Sequence, residues 1–216
     1  MKYYPVFLDI AGKPCVVVGG GEVACRKVHR LLECGAHVSV ISRQLCPDLL
    51  ELKTHGSVTH IDDQYQSEQI DHAFLVVGAT DNSDVNGKIF RDARVRNILV
   101  NIVDEPEHCD FILPSIVERG DLSIAISTGG KSPALAKQLR QELEGIFGEE
   151  YDVYLKIMGK IREVVLARSR PSDDNRKIFE ALVQSELLSL IRSKNWDAVQ
   201  KLVSETVHEP IELRFP

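Results

Sequence analysis

Residues 15–27, Cys-Val-Val-Val-Gly-Gly-Gly-Glu-Val-Ala-Cys-Arg-Lys, decide the fold. A β-branched run, Cys15 to Val18, stops at a glycine cluster, and an amphipathic helical pattern opens straight after it. Gly19, Gly21 and Ala24 fit the spacing G-x-G-x-x-A. In that motif the first glycine makes the tight turn, the second lets backbone approach a pyrophosphate, and the small third residue lets helix and strand pack closely. Glu22 and Val23 then present backbone N–H groups at a helix N-terminus, where the helix dipole favours negative charge. Glycines also serve as plain turns; here the strand before and the helix after supply the context that the dinucleotide reading needs.

Working outward, strand patterns fall at 14–18, 37–42, 57–61, 73–79 and 98–103, and helical patterns at 22–34, 46–55, 67–71 and 82–96. This alternation predicts an α/β fold, a Rossmann-like doubly wound parallel sheet. After Asp104 the pattern changes. Phe111 to Val117 and Leu122 to Ser127 read as strands joined by Glu118-Arg119-Gly120-Asp121, a hairpin. Ser132 and Pro133 suit the N-cap and first position of a helix over 133–146. Helices follow at 149–168, 174–193 and 195–207, with Asp173 and Asn195 as N-caps, and His208 to Pro216 reads as a loose tail. The expected organisation is a dinucleotide-binding domain over 1–113, a hairpin-and-helix segment over 114–147 and a helical C-terminal domain over 148–216.

Composition narrows the classes of function. The 216 residues carry a net charge of −6, which argues against nucleic acid or an anionic membrane as the main partner. No apolar run reaches the roughly 18 residues of a membrane helix, and the first ten residues do not read as a signal peptide. The five scattered cysteines include no C-x-x-C pair and suit reduced thiols in a cytoplasm. His108-Cys109-Asp110 offers ligand types, but three adjacent residues do not easily face one ion and no second cluster at ligand spacing completes a set. No protein-held metal is expected.

The blocks VVVGGGEVACRK at 16–27, GATDNSDVN at 78–86, NIVDEPEHCDFILPS at 101–115 and ISTGGKSPALAKQLRQELE at 126–144 together resemble the siroheme synthase family. More narrowly they resemble its precorrin-2 dehydrogenase/sirohydrochlorin ferrochelatase module, over about residues 1–210. The chain ends before a uroporphyrinogen methyltransferase domain could begin, so it reads as the stand-alone form. The resemblance implies oxidation of precorrin-2 to sirohydrochlorin, with a hydride passed to NAD and a proton to a base. In bifunctional relatives ferrous iron is then inserted as a substrate to give siroheme. It also implies a homodimer, with 114–147 forming much of the intersubunit contact.

Particular residues follow from that likeness. Asp104, at the carboxyl end of a strand, matches the proposed acid/base aspartate of N-x-V-D-x-P; a loop aspartate capping a turn is the plainer alternative. Asn101 would orient substrate or nicotinamide, and Thr80 and Asp81 would lie beside the cofactor, although an aspartate there is also a natural helix cap. About 20 residues past the glycines an NAD site normally carries an acid for the ribose 2′-OH, and a nearby arginine suits NADP. This chain has Ile41-Ser42-Arg43-Gln44, so motif logic favours NADP while the resemblance implies NAD, read by backbone, Ser42, Arg43 and Gln44. Thr128, Gly129, Gly130 and Lys131 form a second glycine loop at a helix start, a seat for the carboxylates of the implied eight-carboxylate substrate. Arg26, Lys27, Lys137 and Arg140 add local positive charge. The competing class is a non-catalytic dinucleotide sensor, such as the regulatory module of a potassium transport system. It shares the glycine turn but does not predict the TGGKSPALA block.

Overall fold

The structure is a computed structural model and describes residues 2–167, 172–209, 211–213 and 215. The chain divides into two compact units, Met1–Leu113 and Pro114–Pro216.

In the first unit five parallel strands are ordered β3-β2-β1-β4-β5: β1 (Pro14–Val18), β2 (His37–Ile41), β3 (Thr59–Ile61), β4 (Leu75–Gly78) and β5 (Leu99–Ile102). Alternation along β1 explains why it is central. Cys15 and Val17 pack on one face with α1 (Glu22–Glu33) and α2 (Pro47–Thr54), through Cys25, Val28, Leu31 and Leu49. Val16 and Val18 pack on the other face with Ile89 and Ala93 of α3 (Ser83–Arg96). Both faces are thus covered, as a parallel sheet requires. The helix expected over 67–71 is a single 3-10 turn, Ser67–Ile70, closed by a reciprocal Gln66–Gln69 cap. Ala73 N–H already bonds Ile70 there and Phe74 N–H bonds Pro14 at the start of β1, so no further turn can form before β4.

In the second unit β6 (Ser115–Arg119) and β7 (Leu122–Ile126) form an antiparallel hairpin whose register brings Arg119 opposite Leu122. Gly120 turns it with φ +56°, the sign a type II′ turn asks of its first central residue. The hairpin packs against α4 (Pro133–Ile146) and α5 (Glu150–Leu166), so the segment expected to stand as a part of its own lies within this unit. Ser132 caps α4 by accepting from Leu135 N–H at 3.3 Å, and Asn195 caps α8 (Trp196–Val207) by accepting from Ala198 N–H at 3.3 Å.

Two expectations for the helical region fail for local reasons. The helix expected over 174–193 is split into α6 (Ser172–Gln184) and α7 (Leu187–Arg192). The Ser185 hydroxyl donates to the Leu182 carbonyl at 2.7 Å and accepts from Leu187 N–H at 3.2 Å, closing one helix and opening the next. The tail is not loose. Ile211 and Leu213 are buried in the core formed by α5 to α8, Phe215 stacks on Trp196 at 4.9 Å, and Gln200 Nε2 donates to the Ile211 carbonyl at 2.6 Å. Asp173 lies in the first turn of α6 rather than at its cap. Arg168, Arg170 and Pro171, where the expected helix end and break fall, lie outside the described residues, as do Pro210 and Pro216 of the tail.

Candidate functional site

The parallel strands all end at one edge of the first unit, and a cleft of about 1010 Å³ opens there. It brings together Gly19, Gly21, Glu22, Val23, Ser42, Arg43, Gln44, Thr80, Asp81 and Asp104.

The glycine turn divides its tasks differently from the motif. Gly19 has φ +128°, and a Cβ on it would stand 2.3 Å from the Ala79 carbonyl oxygen. Gly20, which the motif leaves free, is the tighter position. A Cβ there would lie 1.8 Å from Gln44 O, because Cys46 N–H donates to Gly20 O at 2.7 Å and draws the two βα turns together. At Gly21 a Cβ would meet nothing within 4 Å. Gly21 is therefore small toward the cleft, where a ligand approaches. The first α1 hydrogen bond runs from Cys25 N–H to Gly21 O. No described side chain caps that end, so the Glu22 and Val23 amides remain available to an anion. These features fit the diphosphate of a dinucleotide.

Along the rest of the cleft, Ser42 Oγ donates to Gln44 O at 2.7 Å, which shapes the turn after β2. Thr80 Oγ1 donates to Asn86 Oδ1 at 2.8 Å, and the buried Asn86 amide returns a bond to Thr80 O. The cap of α3 is Asn82 and not Asp81: its side chain accepts from Asp84 and Val85 N–H. Asp81 is left exposed on the cleft. Asp63, Gln64 and Tyr65, which follow β3, also line it. Sequence reasoning missed them, although the rule that ligands sit at carboxyl ends of parallel strands applies to β3 as to its neighbours.

Asp104 is exposed beyond β5 and has φ +62°. Aspartate tolerates that left-handed conformation better than most residues, and such geometry concentrates at functional sites. The α1 lysine, Lys27, has its pKa lowered by burial and by Arg26, while the fields of Asp104 and Cys109 oppose the shift. Asn101 does not reach the cleft. It is 7% exposed, and its amide donates to Phe111 O at 3.0 Å and Cys109 Sγ at 3.4 Å. It holds the 101–111 turn.

His108, Cys109 and Asp110 point to different partners. His108 Nδ1 pairs with Glu105 Oε2 at 2.6 Å, the Cys109 thiol donates to Ile102 O, and Asp110 pairs with Arg94 at 2.6 Å. A group of ligand type that the sequence reading did not single out lies elsewhere, on α1 and α2. The ligand atoms of Cys25, His29 and Asp48 lie within 4.8 Å of one another. The signal missed was helical: Cys25 and His29 are four residues apart on α1, hence on one face.

In the second unit Thr128 Oγ1 accepts from Ser132 N–H at 3.1 Å, and Gly129 and Gly130 have φ +62° and +80°. The Thr128 hydroxyl and the two glycines thus build a turn that leads Lys131, exposed, into α4.

Comparisons with known proteins agree with this construction. A family model described as NAD(P)-binding matches residues 6–115, and one described as sirohaem biosynthesis protein central matches 119–146. The siroheme synthase of Actinobacillus succinogenes is 37% identical over 93% of this chain, and that of Methylobacillus flagellatus is 38% identical over 94%. The chain spans 42% and 44% of the length of these two relatives. Among solved structures, SirC, precorrin-2 dehydrogenase, shares the fold with a TM-score of 0.76 at 24% identity, covering 92% of this chain and all of that one. The glycine turn and the TGGKSPALA block thus have matched counterparts, and the chain belongs to the siroheme synthase family, of which it carries the NAD(P)-binding and central regions.

Proposed function

We propose that this chain is an NAD-dependent precorrin-2 dehydrogenase. The observation that carries the reading is one cleft holding both an uncapped helix N-terminus and a left-handed, exposed Asp104. Glu22 and Val23 amides bind the diphosphate, with Gly19 and Gly21 making the approach possible. Ser42, Arg43 and Gln44 face the ribose side, and Thr80 and Asp81 line the wall between the two. When bound, NAD supplies the hydride acceptor. Asp104 takes the proton that leaves the ring as the hydride passes to NAD. The Thr128–Lys131 turn binds substrate carboxylates with its lysine and the start of α4. The chain works as a homodimer through the 114–147 segment, and its five free cysteines suit a cytoplasmic protein.

The test is incubation with precorrin-2 and either NAD or NADP, followed by the visible spectrum. Formation of sirohydrochlorin with NAD supports the reading, and none with either nucleotide ends it. The same carboxylate can accept the pyrrole protons that ferrous iron displaces, so a parallel run with ferrous iron against the spontaneous rate examines insertion.

A further inference from the structure

The cofactor cleft has a neighbour with its own chemistry. On α1, Cys25 and His29 stand one turn apart on the same face. The start of α2 brings Asp48 to them, so that a thiol, an imidazole and a carboxylate offer ligand atoms all within 4.8 Å of one another. Cys46, which precedes Pro47 of α2, adds a second thiol near that of Cys25, close enough to help raise its pKa. Backbone fixes this meeting: Cys46 N–H bonds Gly20 O, and Leu49 and Val28 pack in one core beneath the two helices.

From this convergence we propose that Cys25, His29, Cys46 and Asp48 form a binding site for a divalent ion of the zinc type. Two sulfurs, one imidazole nitrogen and one carboxylate oxygen are a ligand set that selects zinc over magnesium or calcium. Ligand atoms on a tetrahedral zinc stand roughly 3.3–3.8 Å apart, given bonds of about 2.0–2.3 Å. The Cys25, His29 and Asp48 atoms therefore need to close by about 1.5 Å at most, with the Cys46 thiol turning in beside Cys25 as the fourth ligand. His29 and Asp48 are exposed and have room to turn, whereas Cys25 is buried and already fixed. Exposure on one side also gives the ion a path in. Each thiol loses one proton to solvent as its sulfur coordinates. Cys46 also lines the cofactor cleft, so the ion fastens α1 to the turn that follows β2. This site stands independently of the dehydrogenase reading, because binding alone tests it.

The experiment uses the full chain, stripped with chelator under reducing conditions, and titrates it with zinc and with cobalt. The expected result is one zinc per chain and, with cobalt, near-ultraviolet absorption from thiolate-to-metal charge transfer. His29→Ala and Asp48→Asn, both at exposed positions and checked for native circular dichroism, lose at least about ten-fold in affinity, in line with the loss that removing even a supporting group causes. His55→Ala, at the far end of α2, keeps wild-type affinity. No stoichiometric uptake, no charge-transfer band, or affinity unchanged in both His29→Ala and Asp48→Asn overturns the proposal. So does a Cys25–Cys46 disulfide that persists through reduction and blocks cobalt.

Discussion

At the scale of single residues, Asp104 and the glycines carry the most distinctive chemistry. Asparagine keeps the tolerance of φ +62° and the size of the side chain while removing the charge. Asp104→Asn is therefore expected to fold and to hold NAD within about two-fold of wild type, while turnover of precorrin-2 falls about 100-fold or more. Fluorescence titration and the sirohydrochlorin assay read the two quantities separately, and loss of NAD binding would contradict a proton-handling role. The glycines separate folding from ligand approach. Gly20→Ala drives a methyl to within 1.8 Å of Gln44 O and is expected to cost about 1–3 kcal/mol of stability. Gly21→Ala meets no protein atom within 4 Å. It is expected to change stability by under about 1 kcal/mol while weakening NAD about ten-fold. Denaturant unfolding together with NAD titration checks both. The motif made Gly19 and Gly21 legible in sequence, but the demand on Gly20 was not: it arises from Gln44, 24 positions on, which only the packed sheet brings near.

At the scale of elements, β1, β4 and β5 were legible as short β-branched runs between breakers, β2 by its alternation, and β3, Thr59–Ile61, by its place in the strand–helix rhythm. The side-chain alternation on β1 then fixes which helices cover which face. Features that depend on one hydroxyl or on distant partners were not legible, such as the Ser185 break between α6 and α7 or the burial of Ile211. Asn101 shows the same limit: a strand-end amide looked available for ligand until the chain doubled back and engaged it through Phe111 and Cys109. The buried thiol of β1 gives a pH prediction for this element. Burial, with a smaller effect from Cys34, raises Cys15 from 9.0 to about 11. The folded state keeps this proton to higher pH than the unfolded chain does. The resulting stabilisation is complete below pH 9 and is lost as pH rises toward 11. The unfolding midpoint of the wild type should fall more steeply across that window than that of Cys15→Ala, measured by thermal scans at fixed ionic strength. Equal slopes would contradict it.

At the scale of the whole molecule, among the described residues no helix is long and apolar enough to cross a membrane. The surface instead offers apolar side chains on α4, with Leu135 and Ile146 both exposed. Both belong to the 114–147 segment through which the homodimer is proposed to form. Sedimentation velocity at micromolar concentration should give a dimer, and Leu135→Glu combined with Ile146→Glu should give a monomer with unchanged circular dichroism; a monomeric wild type would refute the arrangement. The turn after β5 has a bearing on aggregation as well. β5 is a terminal strand of its sheet, and an unpaired terminal strand invites a strand from another molecule. Here Asp110 N–H donates to Val100 O, and the Asp110 carboxylate accepts Val100 N–H at 3.2 Å while Arg94 holds its other oxygen. The segment that leads away from Asp104 thereby occupies the hydrogen-bonding positions that a foreign strand would use. Asp110→Ala should leave the fold intact yet raise light scattering on concentration or mild heating. The loop that shapes the mouth of the cleft thus also guards the protein's solubility, which would keep it short and well ordered whatever the ligand requires.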